Sequence, residues 1–253
     1  MRTGFLRLVI AFACALAASA AFGDAFVGPN PEGGKLTWSG FSNGSVGATI
    51  TGGIFSGVSA GQFQGYFDTD GGSAEADDYL RFFCIDISHV ASGVPNTYTR
   101  DIGLPGSLSA AKQAELARLF DEHYPNKTIG TYYSGGAQTL FGSFATANDS
   151  AAFQLAVWEI FFGDGTDLTA APFTASSTAE STAQGWLDGV NGESGTPAGW
   201  TFYTFSSETY QDYLSVEYTT PLLETPEPGT LFLLCSAVLA FAWAAALRRR
   251  QTA

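Results

Sequence analysis

Cysteine is nearly absent from this chain: three occur in 253 residues, and two of them, Cys14 and Cys235, fall in long apolar runs near the ends. The body between those runs keeps only Cys84, which excludes a disulfide framework within it. Basic residues are scarce too. From Asp24 to Glu224, six lysines and arginines stand against 23 aspartates and glutamates, a formal charge of −17. Such a surface repels nucleic acid and anionic lipid, so DNA-binding and phosphate-binding roles are excluded. There are just two histidines, His89 and His123, and no His/Cys/Asp/Glu cluster has metal-ligand spacing, so no metal or other cofactor is expected. The acidic run Asp68 to Asp78, with Asp70, Glu75 and Asp77, offers oxygens for calcium but fails the EF-hand spacing and reads as a solvated turn. Asp164-Gly165-Thr166-Asp167 is read as a turn as well. No paired carboxylates stand at a spacing useful for acid–base work, so an enzyme with turnover is not expected. No internal repeat is evident.

What is present is concentrated first at the ends. Arg2 and Arg7 precede an apolar stretch from Leu8 to about Ala18, followed by the small residues Ala18-Ser19-Ala20 and Ala21-Phe22-Gly23. This is the layout of a secretory signal peptide, residues 1–23, so passage through the Sec machinery is expected. At the other end, a linker over 221–230 contains Pro226-Glu227-Pro228, an uncharged run spans 231–247, and Arg248-Arg249-Arg250 open a basic tail over 248–253. The run is just long enough to cross a bilayer as a helix. Three arginines after it keep the tail cytoplasmic and the body outside.

This C-terminal arrangement resembles the PEP-CTERM sorting signal of Gram-negative bacteria, in which a Pro-Glu-Pro motif, one hydrophobic helix and an arginine cluster are read by the membrane protease exosortase. The resemblance implies an inner-membrane anchored precursor, exosortase as a partner, and a destination at the cell surface or in the extracellular, exopolysaccharide-rich matrix of a biofilm.

The body, residues 24–220, is long enough for one full core. Its 14% aromatic content and abundant glycine, threonine and serine indicate short strands joined by tight turns. Strands are expected at Leu36-Thr37-Trp38, Val46 to Ile50, Gln62 to Phe67 and, most plainly, Tyr79 to Ser88. Alternation in the last would set Phe82, Cys84 and Asp86 on one face and Phe83, Ile85 and Ile87 on the other. Asn96 to Asp101 is expected as its hairpin partner, and Trp200 to Phe205 with Leu214 to Tyr218 as closing strands. Helices are expected from a Ser107 or Ser109 cap through Phe120, from an Asn148-Asp149-Ser150 cap through Phe162 to Gly163, and more weakly over Thr178 to Val190. The fold class is α+β: a strand-rich body, β-sandwich or barrel-like, with a helical insertion between Ser107 and Gly163, plus the C-terminal transmembrane helix.

Two residues of the body stand out chemically. Cys84 must be buried, paired between chains or chemically committed if it is to persist in an oxidising compartment. Gln154 lies on a helix apolar almost all round, so its amide must find partners in the interior or be consumed. The segments Phe83-Cys84 and Gln154-Leu155-Ala156-Val157-Trp158 resemble the two motifs of bacterial thioester domains, best known from Gram-positive surface adhesins: a cysteine after an aromatic residue on a strand, and Gln-x-Ala-Ile-Trp. Val157 departs conservatively from that pattern. The resemblance implies that Cys84 and Gln154 form an internal thioester that acylates an amine- or hydroxyl-bearing surface ligand. A thioester survives only where water is excluded. Phe82, Phe83, Phe153, Trp158, Phe161 and Phe162 are the expected surround, and His89 a candidate for assisting acyl transfer. The plainer alternative is a small core cysteine and a glutamine bonded to sheet backbone, in a non-reactive protein- or carbohydrate-binding matrix module. No local signature supports a cysteine protease pair.

Overall fold

The computed structural model describes residues 31–54, 56–70, 79–91, 94–125, 142–191 and 195–218. The signal peptide, the Pro-Glu-Pro linker, the apolar run and Arg248 to Arg250 lie outside the described residues, as do Glu75, Asp77 and Asp78 of the acidic loop. Among the described residues no helix is long and apolar enough to cross a membrane, and no group could hold a metal ion.

The elements in chain order are β1 (Glu32–Phe41), β2 (Val46–Ile50), β3 (Gly57–Ala60), β4 (Phe63–Asp68), β5 (Tyr79–Cys84), β6 (Asn96–Ile102), α1 (Ala110–His123), α2 (Ala147–Phe162), β7 (Ala175–Ser177), α3 (Glu180–Val190), β8 (Trp200–Ser206) and β9 (Tyr213–Tyr218). Six strands close into a barrel in the order β1-β4-β5-β9-β8-β6, and a second sheet runs β3-β2-β7. Of the two strand architectures expected, the barrel is the one adopted. Closure explains a pairing that alternation could not supply: β6 is not the hairpin partner of β5 but bridges β1 and β8, while β5 lies between β4 and β9. Every pairing is antiparallel.

Close approach sets one residue in the barrel wall. A Cβ at Gly65 would lie 1.9 Å from the carbonyl oxygen of Thr37 on β1, so only glycine lets β1 and β4 pair there.

β5 is shorter than its sequence suggests, ending at Cys84 rather than running to Ser88. Asp86 therefore does not share a strand face with Phe82 and Cys84. Its carboxylate Oδ1 instead accepts the N–H of Ser88 at 2.6 Å and holds a turn. Phe82 packs inside the barrel, its ring 5.6 Å from Phe63 and 4.8 Å from Tyr213. Phe83 points the other way, into a nest of rings on α1, α2 and the segments that flank them: Phe120, Tyr124, Phe144 and Phe153.

The helices form the layer on which β5 rests. Ser109 caps α1 by accepting the N–H of Lys112, as expected. α2 starts earlier than expected: Thr146 accepts the N–H of Asp149 at 3.1 Å and donates to its carboxylate at 2.7 Å, a reciprocal cap of the Thr-x-x-acid kind. Ser150 is thus no cap; it is buried inside the helix, where its hydroxyl accepts the N–H of Gln62 at 2.6 Å, beside the start of β4. α3 and β7 fall beyond Gly163, so the helical layer exceeds the insertion expected between Ser107 and Gly163.

Candidate functional site

Gln154 lies one helical turn after Ser150, on the same face of α2. These two polar side chains pin an otherwise apolar helix to the barrel, Ser150 beside β4 and Gln154 at the last residue of β5. The second junction is reciprocal. Gln154 Oε1 accepts the backbone N–H of Cys84 at 2.9 Å, and Gln154 Nε2 donates to the backbone carbonyl of Cys84 at 2.8 Å. Both residues are fully buried. The amide is therefore held at both ends by the residue that carries the thiol, and the N–H on its oxygen polarises its carbonyl carbon.

The Cys84 thiol donates to the carbonyl oxygen of Asp86 at 2.9 Å. Burial pushes the thiol up to about 12, and the negative charges of Asp86 and Asp212 add to the effect. The indole N–H of Trp158 works against it. Trp158 Nε1 makes no directed hydrogen bond among the described residues. A thiol raised this far is not the ion-pair nucleophile of a cysteine protease. It is also a poor leaving group, which slows hydrolysis of any acyl group placed on it.

Above the sulfur lies a cavity of about 240 Å³. Its apolar walls include Trp38, Phe41, Phe63 and Trp158, while Cys84, His89 and Gln211 supply polar atoms. His89 Nδ1 lies 2.6 Å from Asp86 Oδ2, and the His89 side chain is 45% exposed against 13% for Asp86. Gln211 Nε2 donates to the Asp86 carbonyl at 2.8 Å, the same oxygen that receives the thiol. Cys84 thus forms the floor and His89 the rim.

Of the residues singled out in the sequence, Cys84, Gln154, His89 and Trp158 come together. Phe83 does not line the cavity; its ring supports β5 from the helical side. Phe161 and Phe162 fail as a surround because they sit at the far end of α2, against each other and, for Phe162, against Phe173. His123 stacks on Trp186 at the end of α1 and takes no part. Trp38, Phe41, Phe63, Asp86 and Gln211 were not singled out as site residues. For Asp86 a local signal existed, since an aspartate two residues before Ser88 and three before His89 suits a side-chain-capped turn. Gln211 reaches the site through the pairing of β5 with β9, and nothing local marks it.

Comparison with known proteins bears on the two ends of this description differently. Residues 224–250 carry a PEP-CTERM protein-sorting motif. The match includes Pro226, Glu227, Pro228 and the three arginines, and lies wholly outside the described residues. No curated protein matches the chain. Among solved structures, the chain is similar to the N-terminal thioester domain of a surface protein from Clostridium perfringens. They share 15% identity with a TM-score of 0.39, over 69% of this chain and 99% of that one. It is also similar to the N-terminal domain of the Streptococcus pyogenes pilus tip adhesin Cpa, at 15% identity and a TM-score of 0.38, over 76% of this chain and 99% of that one.

Proposed function

We propose that this PEP-CTERM protein is an exported surface or matrix protein whose body captures a partner covalently through a Cys84–Gln154 thioester. The observation that carries the reading is the double hydrogen bond between the Gln154 amide and the backbone of Cys84, which sets the amide against the residue that bears the thiol at one buried junction. The non-reactive alternative uses the same two bonds, and the mass of the protein separates the two. In the condensation, the Cys84 sulfur bonds to Gln154 Cδ and the Cδ–Nε2 bond breaks. The thiol proton leaves with that nitrogen as ammonia. Proximity supplies the driving geometry, and the Cys84 N–H stabilises the negative oxygen of the tetrahedral intermediate. In the capture step an amine or hydroxyl attacks Cδ, the C–S bond breaks, the thiol regains a proton and the partner remains on Gln154. Each molecule acts once, so this is a reagent rather than an enzyme with turnover. Export through Sec, a membrane-anchored precursor and exosortase handling at Pro226-Glu227-Pro228 complete the path to the surface.

Intact, unreduced protein weighed by electrospray, with and without methylamine, tests the reading. A deficit of one ammonia, abolished by methylamine and absent from Gln154→Ala, is the expected result. A mass equal to the plain sequence, with Cys84 titrating as a free thiol after unfolding, would leave a matrix module that binds without covalent chemistry.

A further inference from the structure

The proposed condensation uses neither the His89 ring nor the Asp86 carboxylate at the rim of the cavity. Asp86 sits at the centre of the site: its carbonyl receives the Cys84 thiol and the Gln211 amide, while its carboxylate takes the Ser88 N–H on Oδ1 and meets His89 Nδ1 with Oδ2. A carboxylate can only accept, so the imidazole proton lies on Nδ1 and the lone pair is on Nε2. The ring is thus fixed in one tautomer at the mouth of the cavity that Cys84 floors.

We infer that His89, positioned by Asp86, is the general base of the capture step and gives the site its capacity to react with hydroxyl groups. The inference rests on the thioester reading. An amine in its free-base form carries a nucleophilic lone pair of its own, whereas an alcohol is a weak nucleophile until its proton is removed as it attacks. His89 Nε2 takes the hydroxyl proton as the new C–O bond forms at Gln154 Cδ. The imidazolium then returns that proton to the Cys84 sulfur as the C–S bond breaks, so the products are an ester on Gln154 and a neutral thiol. A sulfur this deeply buried is a poor thiolate, so delivery of a proton to it matters as much as removal of one from the alcohol. The other charged group coupled to the imidazole is Asp212, whose carboxyl is raised by burial against the lowering effect of the Ser207 N–H, with the Asp86 charge adding to the rise and His89 opposing it.

The test uses the full-length chain as wild type, His89→Ala and Asp86→Asn, with glycerol as the hydroxyl probe and methylamine as the amine probe. Intact mass is read first, then the rate at which each probe adds across a range of pH. We expect all three proteins to show the ammonia deficit. His89→Ala should lose roughly 10²–10⁴-fold in the glycerol rate together with the limb of the pH profile that rises with imidazole deprotonation, the usual worth of a general base. Methylamine addition should change far less, and Asp86→Asn should fall between. Deficits retained with an unchanged glycerol rate would overturn the role of His89. So would an equal fall for both probes with the pH profile intact, since that marks a disturbed cavity. Absence of the deficit from wild type would overturn the thioester reading itself.

Discussion

Of the three polar side chains that helix α2 buries, Gln154 and Glu159 stand five residues apart, both fully inaccessible, and the fold treats them in opposite ways. The Gln154 amide is completed by a single partner, the backbone of Cys84. The Glu159 carboxyl is completed on one side only: Oε1 accepts the N–H groups of Asp164 and Gly165, each at 3.1 Å, while Oε2 makes no directed hydrogen bond among the described residues. Burial pushes that carboxyl up to about 7, and the neighbouring Asp164 charge adds to it. Asp164 itself is held low, chiefly by the Thr166 hydroxyl. A Cβ at Gly163 would lie 2.0 Å from the carboxylate, so the turn is built closely around it. A neutral amide can match one residue's donor and acceptor. A carboxylate has no donor to offer and becomes a poorly paired acid. Gln154 thus joins helix to strand, and Glu159 is a plug that closes a helix end.

The largest expected effect breaks the junction. Cys84→Ala should abolish every covalent adduct on denaturing gels while the protein stays folded, because both Gln154 hydrogen bonds run to backbone atoms that alanine retains. Gln154→Ala should abolish the adducts and also destabilise the fold, by roughly 1–3 kcal/mol for each Cys84 backbone group left without a partner. Chemical denaturation of the two variants side by side measures that difference.

An intermediate effect sharpens the contrast at Glu159. A carboxyl whose folded-state value lies above its unfolded one keeps its proton longer when folded. Its contribution to stability therefore declines as pH rises from the ordinary carboxylate range to about 7, and is level above that. Glu159→Gln stays neutral and its Oε1 can still accept from Asp164 and Gly165. It should melt close to wild type at about pH 4 and above wild type at about pH 8, which thermal scans at the two values check. The smallest effect is expected for Trp158→Phe. It keeps an apolar wall over Cys84 but removes the indole N–H, so the ammonia deficit should persist with a stability loss of about 1 kcal/mol, read from the denaturation midpoint.

Much of the candidate site was legible in sequence because the two residues at its centre each break a local pattern. Cys84 is a lone thiol in an exported body, and Gln154 a lone amide in an apolar helix. The helices were legible for similar reasons: the Ser109 cap and the Gly163 stop act within a few residues. What escaped was non-local. β6 looked like a hairpin partner of β5 because it follows it, yet barrel closure sent it to β1 and β8. β3 and β7 are too short to show a period, and Trp38, Phe41 and Phe63 reach the cavity only through the β1–β4 pairing. The end of β5 at Cys84 was hidden by an apolar alternation that continues through Ile85 and Ile87 after the strand has stopped.

β9 runs between β5 and β8, and the chain that follows Tyr218 leads to the sorting motif. Under the proposed capture at Gln154, mechanical tension between the partner and the C-terminal sorting segment would be carried covalently by residues 155–218, while residues 31–153 would hang outside the line of force. Before the terminal strand can be drawn out, it must shear its ladder to β8, from Trp200↔Tyr218 to Phe205↔Tyr213, and its ladder to β5 at Phe83↔Leu214 and Cys84↔Tyr213. The barrel would then serve as a clamp that pulling loads along the strand direction, with the Cys84–Gln154 junction fastened at the end of β5.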